Sequence, residues 1–237
     1  MKIGLIQTIG MGDIIIALPI AKFFHEQGNE IFWPILEEFL PSFKSSAPWV
    51  NWIGISRDAR DFFYQTPLDI LSKINAEKII ILYNYMYQHK EIPNKLLQRT
   101  LKFDQYKYAI SEVPFDLKWN LESCILRNEN REMELYTKLV KKEDYMVIQQ
   151  NGSNFERQFD LTEAHKKGQQ VIEITKITDN IFDWLTVIER AKTLVLIDSV
   201  FANLVDQMKF GKNIPKYFAV RSRSTFTPVL LQNWNYF

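Results

Sequence analysis

The chain opens M-K-I-G-L-I-Q-T-I-G-M-G-D-I-I-I-A-L-P-I-A (Met1 to Ala21), and this stretch decides the fold. Lys2 to Thr8 is a short apolar run carrying Ile3, Leu5 and Ile6. Gly10 and Gly12 then bracket Met11, Asp13 follows at once, and Ile14 to Leu18 lead into an apolar helix. Strand, glycine-punctuated turn and helix make the start of a βα unit. Glycines at such a turn permit positive φ and close approach of a ligand to the backbone, while the opening helix presents unpaired N–H groups and a partial positive charge. The plainer alternative is a tight turn made by Gly10 and Gly12, with Asp13 capping the helix. A dinucleotide fingerprint G-x-G-x-x-G needs a third glycine where Ile15 stands, and an aspartate directly after the second glycine is foreign to it, so a nicotinamide or flavin site is set aside.

Working outward, 237 residues suffice for one large α/β domain or two small ones, and an apolar fraction of 46% supplies a core. Lys plus Arg (29) nearly cancels Asp plus Glu (28), so no global field draws the chain to nucleic acid or acidic lipid, although a local basic patch stays open. Cys124 is the single cysteine, which excludes an internal disulfide, and His25, His89 and His165 offer no metal-ligand spacing. The N-terminus lacks the unbroken apolar core of a signal peptide, and no run approaches the length of a membrane span. A cytoplasmic protein is the expectation.

The first half alternates strand and helix. The first helix should end near Gly28, strands are expected at Glu30–Pro34, Asn51–Ile55 and Lys78–Leu82, and helical patterns at Leu36–Ser46 and Leu68–Asn75. Lys78–Leu82 is nearly all apolar and β-branched, the pattern of a parallel strand buried on both faces. Tyr83 to Trp119 is rich in aromatics interleaved with Lys90, Lys95, Arg99, Lys102 and Lys107, and reads either as packing or as a stacking platform for sugars or bases. Of these, Tyr83, Asn84 and Tyr85 stand at a strand's C-terminal end, where open α/β sheets bind ligands. A charged amphipathic helix over Asn130–Lys141 is expected to cross between halves. The boundary therefore falls between a lobe of residues 1–141 and one of residues 142–237.

In the second half, strands are expected at Tyr145–Gln149, Val171–Thr175, Thr193–Ile197 and Ile214–Val220, with a helix over Asp179–Lys192 whose inner face carries Ile181, Trp184, Leu185 and Ile188. Q-Q-N-G-S-N-F-E-R (Gln149 to Arg157) is a cluster of turn formers that exposes backbone N–H groups. After the buried run T-L-V-L-I, D-S-V-F-A-N-L-V-D-Q-M (Asp198 to Met208) opens a helix, where Ser199 and the free N–H groups of Val200 and Phe201 suit an anion, or where Asp198 or Ser199 is a plain cap. Arg221-Ser222-Arg223-Ser224-Thr225 follows the last strand, and its two arginines could fork onto phosphate or form a solvated loop.

I-G-M-G-D-I-I-I-A-L-P-I-A (Ile9 to Ala21) resembles the N-terminal signature of the heptosyltransferases, glycosyltransferase family 9, which open with an apolar strand, a G-x-G-D turn and a helix carrying A-L-P. The aromatic-ended strand E-I-F-W-P fits too, and Asp198, Ser199, Asn203 and Leu204 fall in order on the family's D-T/S-G-x-x-H-L-A. Val200 replaces the glycine of that pattern and Asn203 its histidine. Ser153 and Arg157 match loosely the family's loop that meets the sugar-nucleotide diphosphate.

The resemblance implies α/β architecture with two Rossmann-like lobes facing across a cleft, the GT-B arrangement, in a chain shortened relative to typical members. It implies that the turn Gly10, Met11, Gly12 faces the acceptor with Asp13 as general base. It implies that the second lobe binds a nucleoside-diphosphate sugar, with Ser153, Arg157, Asp198, Ser199 and Asn203 on the matching motifs, while Val200, Phe201, Arg221 and Arg223 join the candidate donor site through their own chemistry. The function implied is transfer of a sugar from that donor to a hydroxyl acceptor, a glycan or lipopolysaccharide-like. No D-x-D occurs, so transfer without metal and without a further cofactor is expected. Two other readings are a nucleotide-sugar binder without catalysis and a glycosyltransferase acting on modified DNA bases. The neutral charge opposes the second of these.

Overall fold

The computed structural model describes residues 1–83, 94–152, 156–162, 168–221 and 227–237, with the backbone alone for Asn94, Leu97 and Gln98. Asn84, Tyr85, Tyr87, Lys90, Ser153 and Arg223 lie outside the described residues. The chain is α/β and divides into two compact units, each built on a parallel sheet. Unit 1 holds Met1–Leu126 and Ser224–Val229, and unit 2 holds Arg127–Arg223 and Leu230–Phe237.

In unit 1, β1 (Lys2–Ile6), β2 (Glu30–Leu36), β3 (Val50–Ile55) and β4 (Lys78–Ile81) pair in the order β3-β2-β1-β4, all parallel. Register is set by Ile3 opposite Ile31 on one side and Lys78 on the other. β1 is central and carries Ile3, Leu5 and Ile6 with no exposure, as a strand covered on both faces must. β4 is an edge strand, and Lys78, Ile79 and Ile81 are only half-buried. The expectation of a strand buried on both faces fails there, because β-branched composition reports a good pleated surface and not a place in the strand order.

The crossover from β1 to β2 is α1 (Met11–Glu26), in which every residue from Ile14 to Ala21 is buried. A helix apolar all round needs neighbours on every side, and α1 packs against β2, α5 (Phe103–Ser111) and the short 3-10 turns Phe115–Trp119 and Leu121–Cys124. Pro19 sits inside α1 and has no N–H for the preceding turn. Nearby, the Tyr108 hydroxyl donates to the Ile16 carbonyl at 2.9 Å. The aromatics of this region serve packing: Tyr83, Tyr106 and Tyr108 are each at most 5% exposed. The stacking-platform alternative is not supported at those positions.

The remaining helices of unit 1 are α2 (Leu40–Ser46), α3 (Gln65–Lys73) and α4 (Asn94–Thr100). The helical pattern expected from Leu36 is carried only from Leu40, since β2 runs on through Leu36 and Glu37–Phe39 form a 3-10 turn.

Unit 2 has the strand order β6-β5-β7-β8-β9, with β5 (Tyr145–Gln149), β6 (Gln170–Glu173), β7 (Thr193–Ile197), β8 (Lys216–Ala219) and β9 (Asn235–Tyr236), again all parallel. β9 adds a strand beyond β8, the last strand expected from the sequence. The division between units falls at Leu126/Arg127, ahead of the 141/142 boundary expected. The reason is that α6 (Glu129–Leu139) lies wholly in unit 2, packed on α7 (Leu185–Glu189) and the 3-10 turn Ile181–Trp184. Buried Glu132 takes Arg127 at 2.6 Å and the Thr186 hydroxyl at 2.7 Å, while Arg131 holds Asp183 at 2.7 Å. These bonds also explain why the helix expected over Asp179–Lys192 is split. Asn180 caps the 3-10 turn through the Phe182 N–H, Asp183 is drawn to Arg131, and regular helix begins only at Leu185.

Candidate functional site

In unit 1 the site is built on the turn between β1 and α1. Gly10 has φ 77°, a region that glycine occupies without penalty, and a Cβ there would stand 2.5 Å from Asp13 Oδ2. The glycine is therefore required twice, by the backbone and by the carboxylate beside it. Gly10, not Asp13, is the N-cap of α1, and the place of Asp13 in the first turn sets its charge against the positive end of the helix. Its side chain is 36% exposed.

The partner of that carboxylate comes from far along the chain. Lys107 Nζ, on α5, lies 3.0 Å from Asp13 Oδ1, donates to Gln7 Oε1 at 2.6 Å and to the Leu82 carbonyl at 3.1 Å, and is nearly inaccessible to solvent. Gln7 follows β1 and Leu82 follows β4, so the ammonium sits at the C-terminal end of two neighbouring strands. Tyr83 closes the same end: its hydroxyl accepts the Thr8 N–H at 2.9 Å and that of Ile9 at 3.4 Å. These bonds fix the chain entering the turn. Sequence alone marks Tyr83 as standing at a strand's C-terminal end and Lys107 as one of the basic residues among the aromatics, but it links neither to Asp13 and does not single out Gln7. For Lys107 a further signal is the polar row Asp104, Lys107 and Ser111 on α5, at helical spacing on a face that proves to be buried.

In unit 2 the candidate residues gather at the C-terminal ends of β5, β7 and β8. α8 (Val200–Gln207) begins directly after β7, with Ser199 as its N-cap. The Ser199 hydroxyl accepts the Phe201 N–H at 3.2 Å and donates to Gln149 Oε1. The Phe201 N–H expected to be free is thus capped, because an unpaired N–H at a helix start is satisfied by the nearest serine oxygen. Among the described residues, the Val200 N–H has no backbone partner. Asn203 is buried, donates to the Ser199 carbonyl at 3.0 Å and leaves its Oδ1 without a partner among the described residues.

Asp198 is 8% exposed, its backbone N–H bonding to Ala219 of β8 at 3.1 Å. Arg221 donates to the Asp198 carbonyl at 3.0 Å, which holds this exposed cation beside the start of α8. Arg157 is also exposed, with its guanidinium 5.9 Å from the Phe237 ring, and Phe237 in turn bonds to Phe218 of β8. The structure therefore brings Asp198, Ser199, Val200, Asn203 and Arg221 together at the C-terminal ends of β7 and β8. Gln149 joins them, and its role as partner of Ser199 was not evident from the sequence. Among the described residues no cluster of three or more His, Cys, Asp or Glu could hold a metal ion, and no helix is long and apolar enough to cross a membrane.

No family model matches the sequence, and neither does any curated protein. Solved structures do. A glycosyl transferase of family 9 from Veillonella parvula DSM 2008 is similar over 99% of this chain and 86% of its own, with a TM-score of 0.64 at 14% identity. The E. coli heptosyltransferase WaaC, solved with ADP-2-deoxy-2-fluoro heptose, is similar over 100% of this chain and 92% of its own, with a TM-score of 0.58 at 12% identity. TibC, an iron-containing dodecameric glycosyltransferase of enterotoxigenic E. coli H10407, is similar over 92% of this chain and 59% of its own, with a TM-score of 0.54 at 10% identity. At these identities the likeness is one of fold, and the fold is the GT-B-like one of glycosyltransferase family 9 and the heptosyltransferases.

Proposed function

We propose that this protein is a glycosyltransferase that moves a sugar from a nucleoside-diphosphate sugar to a hydroxyl of a glycan or lipopolysaccharide-like acceptor, without a metal. The observation that carries the reading is Asp13: a half-exposed carboxylate at a glycine turn, with one oxygen toward Lys107 and the other on the Gly10 side. A sugar hydroxyl is a weak nucleophile until a base takes its proton. Asp13 accepts that proton, the hydroxyl oxygen bonds to the anomeric carbon, and the bond from that carbon to the diphosphate breaks, its electron pair leaving with the phosphate. The departing charge needs donors, which the Val200 N–H, the Ser199 region and Arg221 supply, with Arg157 nearby and Ser153 and Arg223 as further candidates. Met11 and Gly12 line the acceptor side with Gly10. Two related folds were solved with heptose-bearing ADP donors, which makes ADP-heptose the first donor to test. A nucleotide-activated donor and a single buried cysteine suit the cytoplasm.

Thermal melting with a panel of nucleoside-diphosphate sugars headed by ADP-heptose tests the reading, because a ligand that binds only the folded chain raises its melting temperature. A shift with release of nucleoside diphosphate supports transfer. A shift with no release by the wild type favours a nucleotide-sugar binder without catalysis, the second reading, which is motivated by the commitment of the Ser199 hydroxyl to its cap and to Gln149. An acceptor in modified DNA has less support, since Lys107 is buried and not offered to a phosphate backbone.

A further inference from the structure

Lys107 is 3% exposed and carries a charge, a combination that is costly unless the ammonium is paired and hydrogen-bonded. Gln7 Oε1 at 2.6 Å and the Leu82 carbonyl at 3.1 Å supply neutral acceptors. Asp13, at 3.0 Å, is its one ion-pair partner among the described residues. Gln7 is itself held, its side-chain amide donating to the Ile9 carbonyl at 2.8 Å, so the ammonium is fixed to a braced strand end. The carboxylate is treated unevenly. Oδ1 faces Lys107, whereas Oδ2 lies beside Gly10, where the missing side chain leaves it room.

We infer that Lys107 is the positioning residue for the base of the transfer reaction: it anchors Asp13 Oδ1 so that Oδ2 is aimed past Gly10 at the acceptor hydroxyl. The inference rests on the proposed role of Asp13. Lys107 takes no proton in the reaction and touches no reacting atom. Its contribution is geometric, and misplacing a reacting group by about 1 Å costs on the order of 10²-fold in rate.

The test uses the full chain, with ADP-heptose as donor and water as acceptor, and reads ADP release as donor concentration is varied. Lys107→Met should lower kcat about 10²-fold and leave KM for ADP-heptose unchanged. Lys107→Arg should recover part of the loss. Placed in an Asp13→Asn background, Lys107→Met should cost nothing further, because residues that act as a unit are non-additive. If Lys107→Met does not fold, Lys107→Gln, which keeps a donor for Gln7 and drops the charge, is read in the same way. Normal kcat in the Lys107 variants, or an equal loss in the Asp13→Asn background, overturns the positioning role.

The two ideas fail separately. Full turnover by Asp13→Asn removes the base reading itself, whereas inactive Asp13→Asn with fully active Lys107→Met overturns the positioning role alone. A donor-free readout is the side-chain ammonium signal of Lys107 in nitrogen-labelled protein. It should move in Asp13→Asn, and a signal that stays in place overturns the pairing whatever the donor.

Discussion

Asp13 serves two partners with one carboxylate, and Asp13→Asn separates them. As the base it should be indispensable, with turnover falling by about 10² to 10⁴. As the counter-charge to buried Lys107 it also supports the fold. The asparagine still offers an oxygen to the ammonium but no charge, and water reaches the half-exposed side chain. A loss of about 1.5–3 kcal/mol is expected, the scale of a hydrogen bond to a charged group. Melting of the variant checks it, and an unchanged melting temperature would mean that the pair adds nothing to stability. Cys124 makes the pH-dependent case. Burial raises its thiol from an ordinary 9.0 to about 12. The folded state therefore holds a proton that the unfolded chain releases first, so this contribution to stability is full below pH 9.0 and is lost as pH climbs toward 12. A thiol reagent at pH 8 should leave the native protein unlabelled and react on unfolding, and rapid labelling of the folded chain would contradict the burial.

At the scale of the element, α8 is the clearest example of a helix whose start does two jobs. Ser199 caps it through the Phe201 N–H and is itself held by Gln149 from the end of β5. Ser199→Ala removes both bonds. The expected cost is about 0.5–2 kcal/mol in stability, the range for a lost N-cap. A newly freed Phe201 N–H would then face the anion site, so binding of ADP should change much less than stability does. Parallel melting and calorimetric titration with ADP separate the two. A large affinity loss at constant melting temperature would instead make the hydroxyl a direct phosphate donor, the role that the sequence pattern suggests.

For the molecule as a whole, the returning C-terminal segment is decisive. Val229 belongs to unit 1, where its N–H bonds to Asp104 Oδ2 at 2.8 Å and its carbonyl accepts from Lys118 Nζ. Asp104 and Lys118 are both fully buried and 2.6 Å apart. Removing one partner of such a pair strands the other charge in a low dielectric, which typically costs about 3–5 kcal/mol. Lys118→Met should show that loss in urea unfolding followed by tryptophan fluorescence. A loss under about 1 kcal/mol would mean that water reaches Asp104 in solution, as it does for exposed pairs. In unit 2 the neighbouring segment is anchored in like manner, buried Asp206 accepting the Leu231 and Gln232 N–H groups and the Trp234 indole.

What the sequence determined by itself is what short-range physics controls. The turn at Gly10 and the strand and helix around it are legible because glycine conformation and apolar periodicity act within a few residues, although the expected turn is shorter, Met11, Gly12 and Asp13 already belonging to α1. The same holds for the run Thr193–Ile197 and the serine that caps the next helix. Tertiary structure decided the rest. That β4 is an edge strand, and that β9 extends the second sheet, depends on strand order, which no local pattern encodes. That α6 belongs to unit 2 depends on the bonds Arg127, Arg131 and Glu132 make with Asp183 and Thr186. The candidate base was visible as Asp13, but its partner Lys107 was not. A lysine between two tyrosines reads as a surface residue until folding buries it, and only the packing of α5 on α1 and beside β4 brings that ammonium to the carboxylate.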